Sequence, residues 1–188
     1  MSDFKFDAAL RWGRFGSNRA LRRRKDDELP FLDDDAFAGR DLLLDTCVYI
    51  DLMQNRAPTV IDDLMDVRPT NHSTVAIQEL MHLAGVLDPD HQDTRAVLAQ
   101  VGTAIEGMRP HRILLPDTNL LGRAALLSGI VCRIQGFQKD DRRRCLQDCI
   151  LFLQAKKHGL MLLTGNIRDF DILLQLLPDV GVLFYRRR

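Results

Sequence analysis

The sequence has no excess of either charge and no long apolar run. Its 26 Lys and Arg residues equal its 26 Asp and Glu residues, so the chain as a whole is not a polycation that would bind nucleic acid through its average field. The longest uninterrupted apolar run is Cys149–Leu153, whereas a membrane-spanning helix needs about 20 apolar residues. No apolar segment of the kind found in secretory signals follows the first charged residues. These absences predict a protein that does not span a membrane and that works in the cytoplasm.

Cysteines are few, and they lack the spacing of a metal or redox site. None of Cys47, Cys132, Cys145 and Cys149 forms a C-x-x-C pair, so we interpret all four as reduced structural residues. The 188 residues are 46% hydrophobic and 28% charged, which is typical of a globular chain. This length predicts one domain with room for an extension.

Charge is distributed unevenly along the chain although the total is zero. Residues 1–25 are strongly basic, and residues 26–51 are strongly acidic. Residues 1–40 also contain scattered glycine, proline and aromatic residues. We therefore predict a charged N-terminal extension at 1–40 that packs in pieces, followed by the main domain at 41–188.

Short apolar runs alternate with segments of helical periodicity from residue 42 onward. The apolar runs predict strands at 42–44, 111–116, 160–163 and 180–185. The periodic segments predict helices over 48–53, 58–65, 73–83, 92–107, 118–127, 142–157 and 168–177. This alternation predicts an α/β fold with a central, mostly parallel sheet of four to five strands that is flanked by helices on both faces.

Polar residues close two of the predicted strands. Asp45 closes the run LLLD and Thr164 closes the run MLLT, with Asn166 and Asp169 shortly after. Ligands of a parallel sheet bind beyond the carboxyl ends of its strands, so these side chains are candidates for a binding site.

Two further acids interrupt apolar helix faces. Asp148 lies between Cys145 and Phe152, and Glu79 lies between Ile77 and Leu80. An ionisable group in such surroundings is paired, metal-bound or at the wall of a cleft. If these acids converge with those at the strand ends, a cation is needed, because two carboxylates about 4 Å apart repel each other by roughly 4 kcal/mol at an effective dielectric constant near 20. Oxygen ligands favour Mg²⁺ or Mn²⁺. Taken singly, each acid is equally well explained as a helix cap or a solvated group.

Four segments of the sequence resemble the PIN domain, most closely the VapC-type toxin ribonucleases of toxin–antitoxin operons. They are LLLDTCVYIDLM at 42–53, STVAIQELMHL at 73–83, ILLPDTNLLGRAALLSG at 113–129 and DCILFLQAKKHGLMLLTGNIRDFDIL at 148–173. The resemblance spans residues 42–185 and implies a PIN-like three-layer fold. By position, Asp45, Glu79 and Asp148 match the acidic metal ligands of the family.

The resemblance also implies roles for residues around these ligands. Thr46 and Thr164 match hydroxyls that stand beside the metal. The fourth acidic position is open between Asn166, which stands where some relatives have Asp, and Asp169, which lies in an N-x-x-D-F pattern shared by others. Cys47 departs from the family, which often has Asn after the Asp-Thr pair. The implied metal ligands are thus Asp45, Glu79, Asp148, Asn166 and Asp169, and the implied catalytic residues are Asp45, Glu79, Asp148 and Asp169.

The activity that the resemblance implies is Mg²⁺- or Mn²⁺-dependent hydrolysis of RNA, which leaves a 5′-phosphate and a 3′-hydroxyl. Basic residues are the expected RNA contacts, and we predict Arg142, Arg143, Arg144 and Arg168 for this role. For the cluster at 142–144, a solvated helix start is an equally good explanation. Relatives form homodimers and are inhibited by a small antitoxin protein, so both are expected partners.

The acidic residues also allow other interpretations of the function. A catalytically inert PIN module would keep the fold and bind RNA or a partner protein without cutting it. A receiver-type signalling domain and a haloacid-dehalogenase-type phosphatase fit less well, because the Lys after the fifth strand and the D-x-D-x-T motif are missing. The extension at 1–40 could contact RNA, bind an antitoxin or cap the fold.

Overall fold

The computed structural model describes residues 4–11 and 18–188, and these ranges contain five strands and eight α-helices. The strands are β1 (Leu42–Leu44), β2 (Thr70–Ser73), β3 (Ile113–Leu114), β4 (Met161–Thr164) and β5 (Val182–Phe184). The helices are α1 (Phe6–Leu10), α2 (Thr46–Met53), α3 (Val60–Val67), α4 (Thr74–Val86), α5 (Thr94–Glu106), α6 (Thr118–Gln135), α7 (Lys139–His158) and α8 (Ile167–Leu176). No helix in the described part of the chain combines the length and the hydropathy that crossing a bilayer requires.

The five strands form one parallel sheet in the order β3-β2-β1-β4-β5. Leu43 in the central strand β1 pairs with Asn71 of β2 on one side and with Leu162 of β4 on the other. The predicted α/β class with a parallel sheet of four to five strands is confirmed.

Helices cover both faces of the sheet, because the strand residues alternate between two cores. Leu42 and Leu44 pack with residues of α2, α3, α4 and α5, whereas Leu43 packs with residues of α6, α7 and α8. A strand that is buried on both faces reads as a continuous apolar run, which is why β1 is visible in the sequence as LLL.

The strand β2 was not predicted, because its sequence TNHS is polar. Its polar side chains are nevertheless buried and find partners inside the fold. Asn71 Nδ2 donates to the backbone oxygen of Leu42 at 3.0 Å, and Ser73 Oγ donates to Gln154 Oε1 at 2.6 Å. Ser73 also caps α4 by accepting from the backbone N–H of Val75 at 3.0 Å. The helix predicted over 73–83 is therefore present, with Ser73 as its N-cap residue.

Several other boundaries differ from the predictions. Helix α6 continues to Gln135 rather than to residue 127, and α7 begins at Lys139 rather than at residue 142. The predicted strand at 111–116 is shortened to Ile113–Leu114, because Pro110–Arg112 forms a 3₁₀ turn. Helix α7 ends at Gly159, whose φ of 65° lies in the left-handed region that glycine adopts easily.

The predicted extension at 1–40 lies partly outside the described residues, since 1–3 and 12–17 are not among them. Its segment 21–32, which we call the N-terminal strap, crosses α8 and β5. The backbone N–H and the Nε of Arg24 donate to the carboxylate of Asp171 at 2.8 and 2.7 Å. Further along, Phe31 pairs with Phe184 in a parallel bridge beside β5. The strap is therefore fixed to the domain at two points.

We expect Arg24→Ala to lower the free energy of unfolding by about 2 kcal/mol, because a fully buried carboxylate loses a charged hydrogen-bond donor. Asp171 keeps the backbone N–H at position 24 and the amide of Gln175 as donors. Urea unfolding measures the change. The matched control is Arg22→Ala, which removes an exposed arginine from the same strap. Equal stability of the two variants would contradict the anchoring role.

Candidate acidic active site

The candidate site lies beyond the carboxyl ends of β1 and β4, where the strand order reverses. The chain runs outward from β1 through β2 to β3 and then returns to β4 on the other side of β1. Such a reversal opens a crevice that parallel α/β proteins use for binding. Asp45 directly follows β1 and Thr164 ends β4, so the topology brings these two residues together at the crevice.

Asp45 is 4% exposed and is held by two short side chains. Its Oδ2 accepts hydrogen bonds from Thr164 Oγ1 at 2.5 Å and from Cys47 Sγ at 3.0 Å. Burial raises the pKa of Asp45 above its usual value, although both hydrogen bonds act in the opposite direction. Thr164 is fully buried behind Asp45, so its hydroxyl orients the carboxylate.

Glu79 projects from α4 towards the start of α2. Its Oε2 accepts a hydrogen bond from the hydroxyl of Thr46, the residue that follows Asp45. Burial raises the pKa of Glu79, and the charge of Asp45 raises it further, while the Thr46 hydrogen bond lowers it. Thr46 therefore contacts Glu79 directly, and its predicted place beside a metal stays a prediction.

Asp148, Asn166 and Asp169 form the third part of the site, between α7 and the start of α8. Asn166 Nδ2 donates to Asp169 Oδ2 at 3.1 Å and to Asp148 Oδ2 at 3.5 Å. Burial raises the pKa of Asp148 well above its usual value, and the charges of Asp45, Asp169 and Glu79 raise it further. The mutual repulsion expected from converging carboxylates is therefore present in the fold.

All of these acids line one open cavity of about 820 Å³. Its wall includes Asp45, Thr46, Glu79, Asp148, Asn166 and Asp169. A second cavity of about 350 Å³ adjoins it and shares Asp148, Asn166 and Asp169. The structure thus brings the predicted acidic residues together; their roles as ligands and catalysts stay predictions.

Three of the four predicted RNA-binding arginines lie on the rim of this cavity. Arg143, Arg144 and Arg168 line it, and an Arg143 guanidinium nitrogen lies 3.0 Å from Nε2 of His82 on α4. Arg142 is not among them, because it points to a separate pocket beside Cys132.

Sequence reasoning missed two arginines of the same cavity. Arg23 reaches it from the N-terminal strap, and Arg187 reaches it from the segment after β5. Arg187 could have been found by the strand-end rule that identified Asp45. Nothing in the spacing of residues 1–40 indicates which of their arginines would face the site.

A row of hydrogen-bonding side chains behind Asp45 was also missed. Cys47, interpreted from the sequence as a structural residue, donates to Asp45 and lies 3.8 Å from Tyr185 Oη. Tyr185 Oη in turn donates to the fully buried Asp51 at 2.8 Å. The ring of Tyr185 packs so closely on Gly165 that a Cβ there would lie 3.0 Å from it. Glycine at this position therefore lets the tyrosine support the site.

The donor chemistry of the cavity fits a hard divalent cation. The carboxylates and the amide of Asn166 supply the oxygen donors that such a cation prefers. The pKa values of three of the acids are raised, so a cation would relieve their repulsion. In their present orientations, no three His, Cys, Asp or Glu side chains of residues 4–11 and 18–188 are grouped as a metal cluster. Asp45 and Glu79 instead make hydrogen bonds to the hydroxyls of Thr164 and Thr46.

No model of a protein family matches the sequence, and no curated protein is significantly similar to it. Solved structures do match the fold. FitAcB from Neisseria gonorrhoeae has a TM-score of 0.54 and 18% sequence identity, over 76% of this chain and 96% of the other. DNA-bound VapBC from Salmonella typhimurium has a TM-score of 0.52 and 20% identity, over 77% and 97% of the two chains. VapBC2 from Rickettsia felis, bound to a promoter DNA fragment, has a TM-score of 0.51 and 10% identity, over 78% and 98%. At these identities the likeness shows that the chain shares their fold, an α/β architecture with a parallel sheet flanked by helices as predicted.

Proposed function

We propose that this protein is a metal-dependent endoribonuclease and the toxin of a toxin–antitoxin pair. The observation that carries the proposal is the electrostatic state of Asp148. Burial and the charges of three further carboxylates raise its pKa, and all four carboxylates line one open cavity. A purely structural module gains nothing from this repulsion, whereas a nuclease that binds a divalent cation uses it.

The residues have distinct roles in this proposal. Asp45 and Asp148 hold the cation directly, and Glu79 ligates it or orients water. Asn166 or Asp169 completes the site through water, and the Asn166 amide bridges the carboxylates of Asp148 and Asp169. When bound, Mg²⁺ lowers the pKa of a coordinated water and offsets the charge that develops on the phosphate.

The shape and charge of the cavity support an RNA substrate. The acids lie at its base, while Arg143, Arg144 and Arg168 supply positive charge at its rim. A polyanion is attracted to such a rim although the protein has no net charge. The volume of about 820 Å³ is large enough for more than the reacting phosphate alone.

The proposed partners follow from the fold neighbours and the sequence motifs together. Two neighbours are VapBC complexes, and the motifs at 42–173 resemble VapC-type toxins. We therefore propose a cognate antitoxin that covers the acidic cavity with a basic side chain, and a homodimer as the active form.

The proposal is tested by incubating the purified protein with a labelled single-stranded RNA in Mg²⁺ and in EDTA. We expect cleavage only with the metal, and products that carry a 5′-phosphate. The product ends are the control, because metal-independent ribonucleases that use the 2′-hydroxyl leave a 5′-hydroxyl. Cleavage that persists in EDTA, or products with 5′-hydroxyl ends, would contradict the proposal.

One observation favours the inert PIN module as the second candidate. The carboxylates of Asp45 and Glu79 are tied to threonine hydroxyls rather than grouped around a point, and Asn166 occupies a position that is acidic in some relatives. If the protein binds the RNA but cuts it with neither Mg²⁺ nor Mn²⁺, this second candidate replaces the first.

A further inference from the structure

The two terminal segments of the described chain meet beside the acidic cavity. Asp26 of the N-terminal strap accepts hydrogen bonds from Arg23 and, at 2.5 Å, from Arg186 of the segment after β5. The Arg186 guanidinium also lies 4.1 Å from the centroid of the Phe31 ring, another strap residue. The strap and the last residues of the chain therefore form one joined structure.

Each of these segments sends one arginine into the cavity from a fixed support. Arg23 directly precedes Arg24, which is anchored on the buried Asp171. Arg187 Nε donates to the buried Asp51 at 2.7 Å. These supports are buried, so the backbone beside Arg23 and the Nε of Arg187 are fixed next to the cavity.

Where the strap meets the segment after β5, the arginines outnumber the carboxylates with which they are paired. Arg23 and Arg186 share one carboxylate, Asp26, and Arg187 shares the carboxylate of Asp51 with Arg56. Four guanidinium groups thus face two carboxylates, and the ion pairs of Arg23 and Arg187 are not with the acids of the cavity. The shared carboxylates leave guanidinium donors at the cavity wall that an anionic ligand can accept from.

Arg23 and Arg187 reach the cavity from other parts of the fold than Arg143 and Arg144 do. Arg143 contacts His82 on α4, and both Arg143 and Arg144 act electrostatically on Glu79. Arg187 instead contacts Asp51 on α2. Arg143 is therefore held against α4 and Arg187 against α2, although both line the same cavity.

We propose that Arg23 and Arg187 form a phosphate subsite for a phosphodiester adjacent to the one that is cleaved. This inference rests on the proposed function and adds the requirement that the substrate is a chain rather than a single phosphodiester. One of the roles left open for the extension, contact with RNA, is thereby assigned to Arg23.

The test measures the binding of a labelled single-stranded RNA of about twelve nucleotides to the full-length protein in Ca²⁺, with strand integrity checked on a gel. We expect Arg23→Ala and Arg187→Ala each to weaken binding about tenfold, because a charge-assisted hydrogen bond to phosphate is lost. The slope of log affinity against log salt should fall by about 0.7 for each variant, as expected for one lost contact with a single strand.

The matched controls are Arg22→Ala and Arg188→Ala. They remove the same charge from the neighbouring positions of the same two segments, but these residues do not line the cavity. We expect their affinities and salt slopes to stay near those of the wild-type protein. Equal effects of Arg23→Ala and Arg22→Ala would overturn the subsite, because they would show a response to net charge alone.

A small substrate separates this inference from the proposed function. Bis(p-nitrophenyl) phosphate offers only the phosphodiester that is cleaved, so Arg23→Ala should lower kcat/KM on it much less than on RNA, for which KM should rise. Equal losses on both substrates would overturn the subsite. If the wild-type protein cleaves neither, the proposed nuclease has failed and the RNA-binding measurement still decides the subsite.

Discussion

We expect Asp148→Asn to lower Mg²⁺-dependent RNA cleavage by about a thousandfold and to stabilise the metal-free protein. The loss of activity follows because a metal site contributes several kcal/mol to the transition state, and about 1.4 kcal/mol corresponds to a factor of ten. The gain in stability follows because the charges of Asp45, Asp169 and Glu79 and the effect of burial oppose ionisation of Asp148. Each unit by which folding raises a carboxyl pKa costs about 1.4 kcal/mol in the ionised state.

The stabilisation should depend on pH in a defined direction. The pKa of Asp148 is raised in the folded protein, so below the unfolded pKa of about 3.9 both states are protonated and no penalty exists. As the pH rises towards and through the folded pKa, the wild-type protein loses stability that the asparagine variant keeps. The gap in the free energy of unfolding should therefore open above about pH 4 and then level off. Added Mg²⁺ should close it by stabilising only the wild-type protein.

Urea unfolding across this pH range, together with cleavage assays at neutral pH, measures both effects. Asp63→Asn is the control, since it neutralises an exposed carboxylate on α3 that is no part of the cavity. An Asp148→Asn protein that folds and still cleaves RNA would exclude the proposed site. A variant that is less stable than the wild-type protein at neutral pH would show that the carboxylate is structural.

The sequence predicted the parts of this protein in which local pattern and tertiary environment agree. Asp45 and Thr164 were identified because each follows a buried apolar run, and the parallel sheet brings the ends of such runs together. Asp148 was identified because an acid on an apolar helix face is costly unless it is paired, metal-bound or at the wall of a cleft. In both cases the local sequence carries the information.

The parts that were missed depend on partners distant in sequence. Nothing within Thr70–Ser73 indicates a strand, because Asn71 and Ser73 are satisfied by Leu42 and Gln154, more than 28 residues away in each case. The role of Arg24 depends on Asp171, which is 147 residues away. Such pairs cannot be recognised from composition or periodicity, since the sequence around each residue is the same as around an ordinary surface polar residue.

The second large effect is expected for Asp51, a fully buried carboxylate at the centre of three donors. It accepts from Arg187 Nε at 2.7 Å, from Tyr185 Oη at 2.8 Å and from Arg56 at 3.0 Å. We expect Asp51→Ala to lower the free energy of unfolding by about 3 kcal/mol, since the buried tyrosine hydroxyl loses its charged acceptor and a void is left.

The arginines themselves account for little of this cost. Their side chains are 44% and 46% exposed for Arg56 and Arg187, so water replaces the carboxylate as their partner. Arg56→Ala is therefore the graded control and should cost less than about 1 kcal/mol, because Asp51 keeps its other two donors. Urea unfolding of the two variants side by side gives both values.

The substitution of Asp51 should also disturb the positioning of Asp45 in the acidic cavity. Tyr185 contacts Cys47, and Cys47 donates to Asp45, so a tyrosine released from Asp51 no longer holds this side of the cavity in place. We expect the folded Asp51→Ala protein to cleave RNA about tenfold more slowly than Arg56→Ala, because small displacements of ligating groups cost catalytic rate. Equal rates for the two variants would mean that the contacts from Asp51 through Tyr185 and Cys47 support the fold without positioning Asp45.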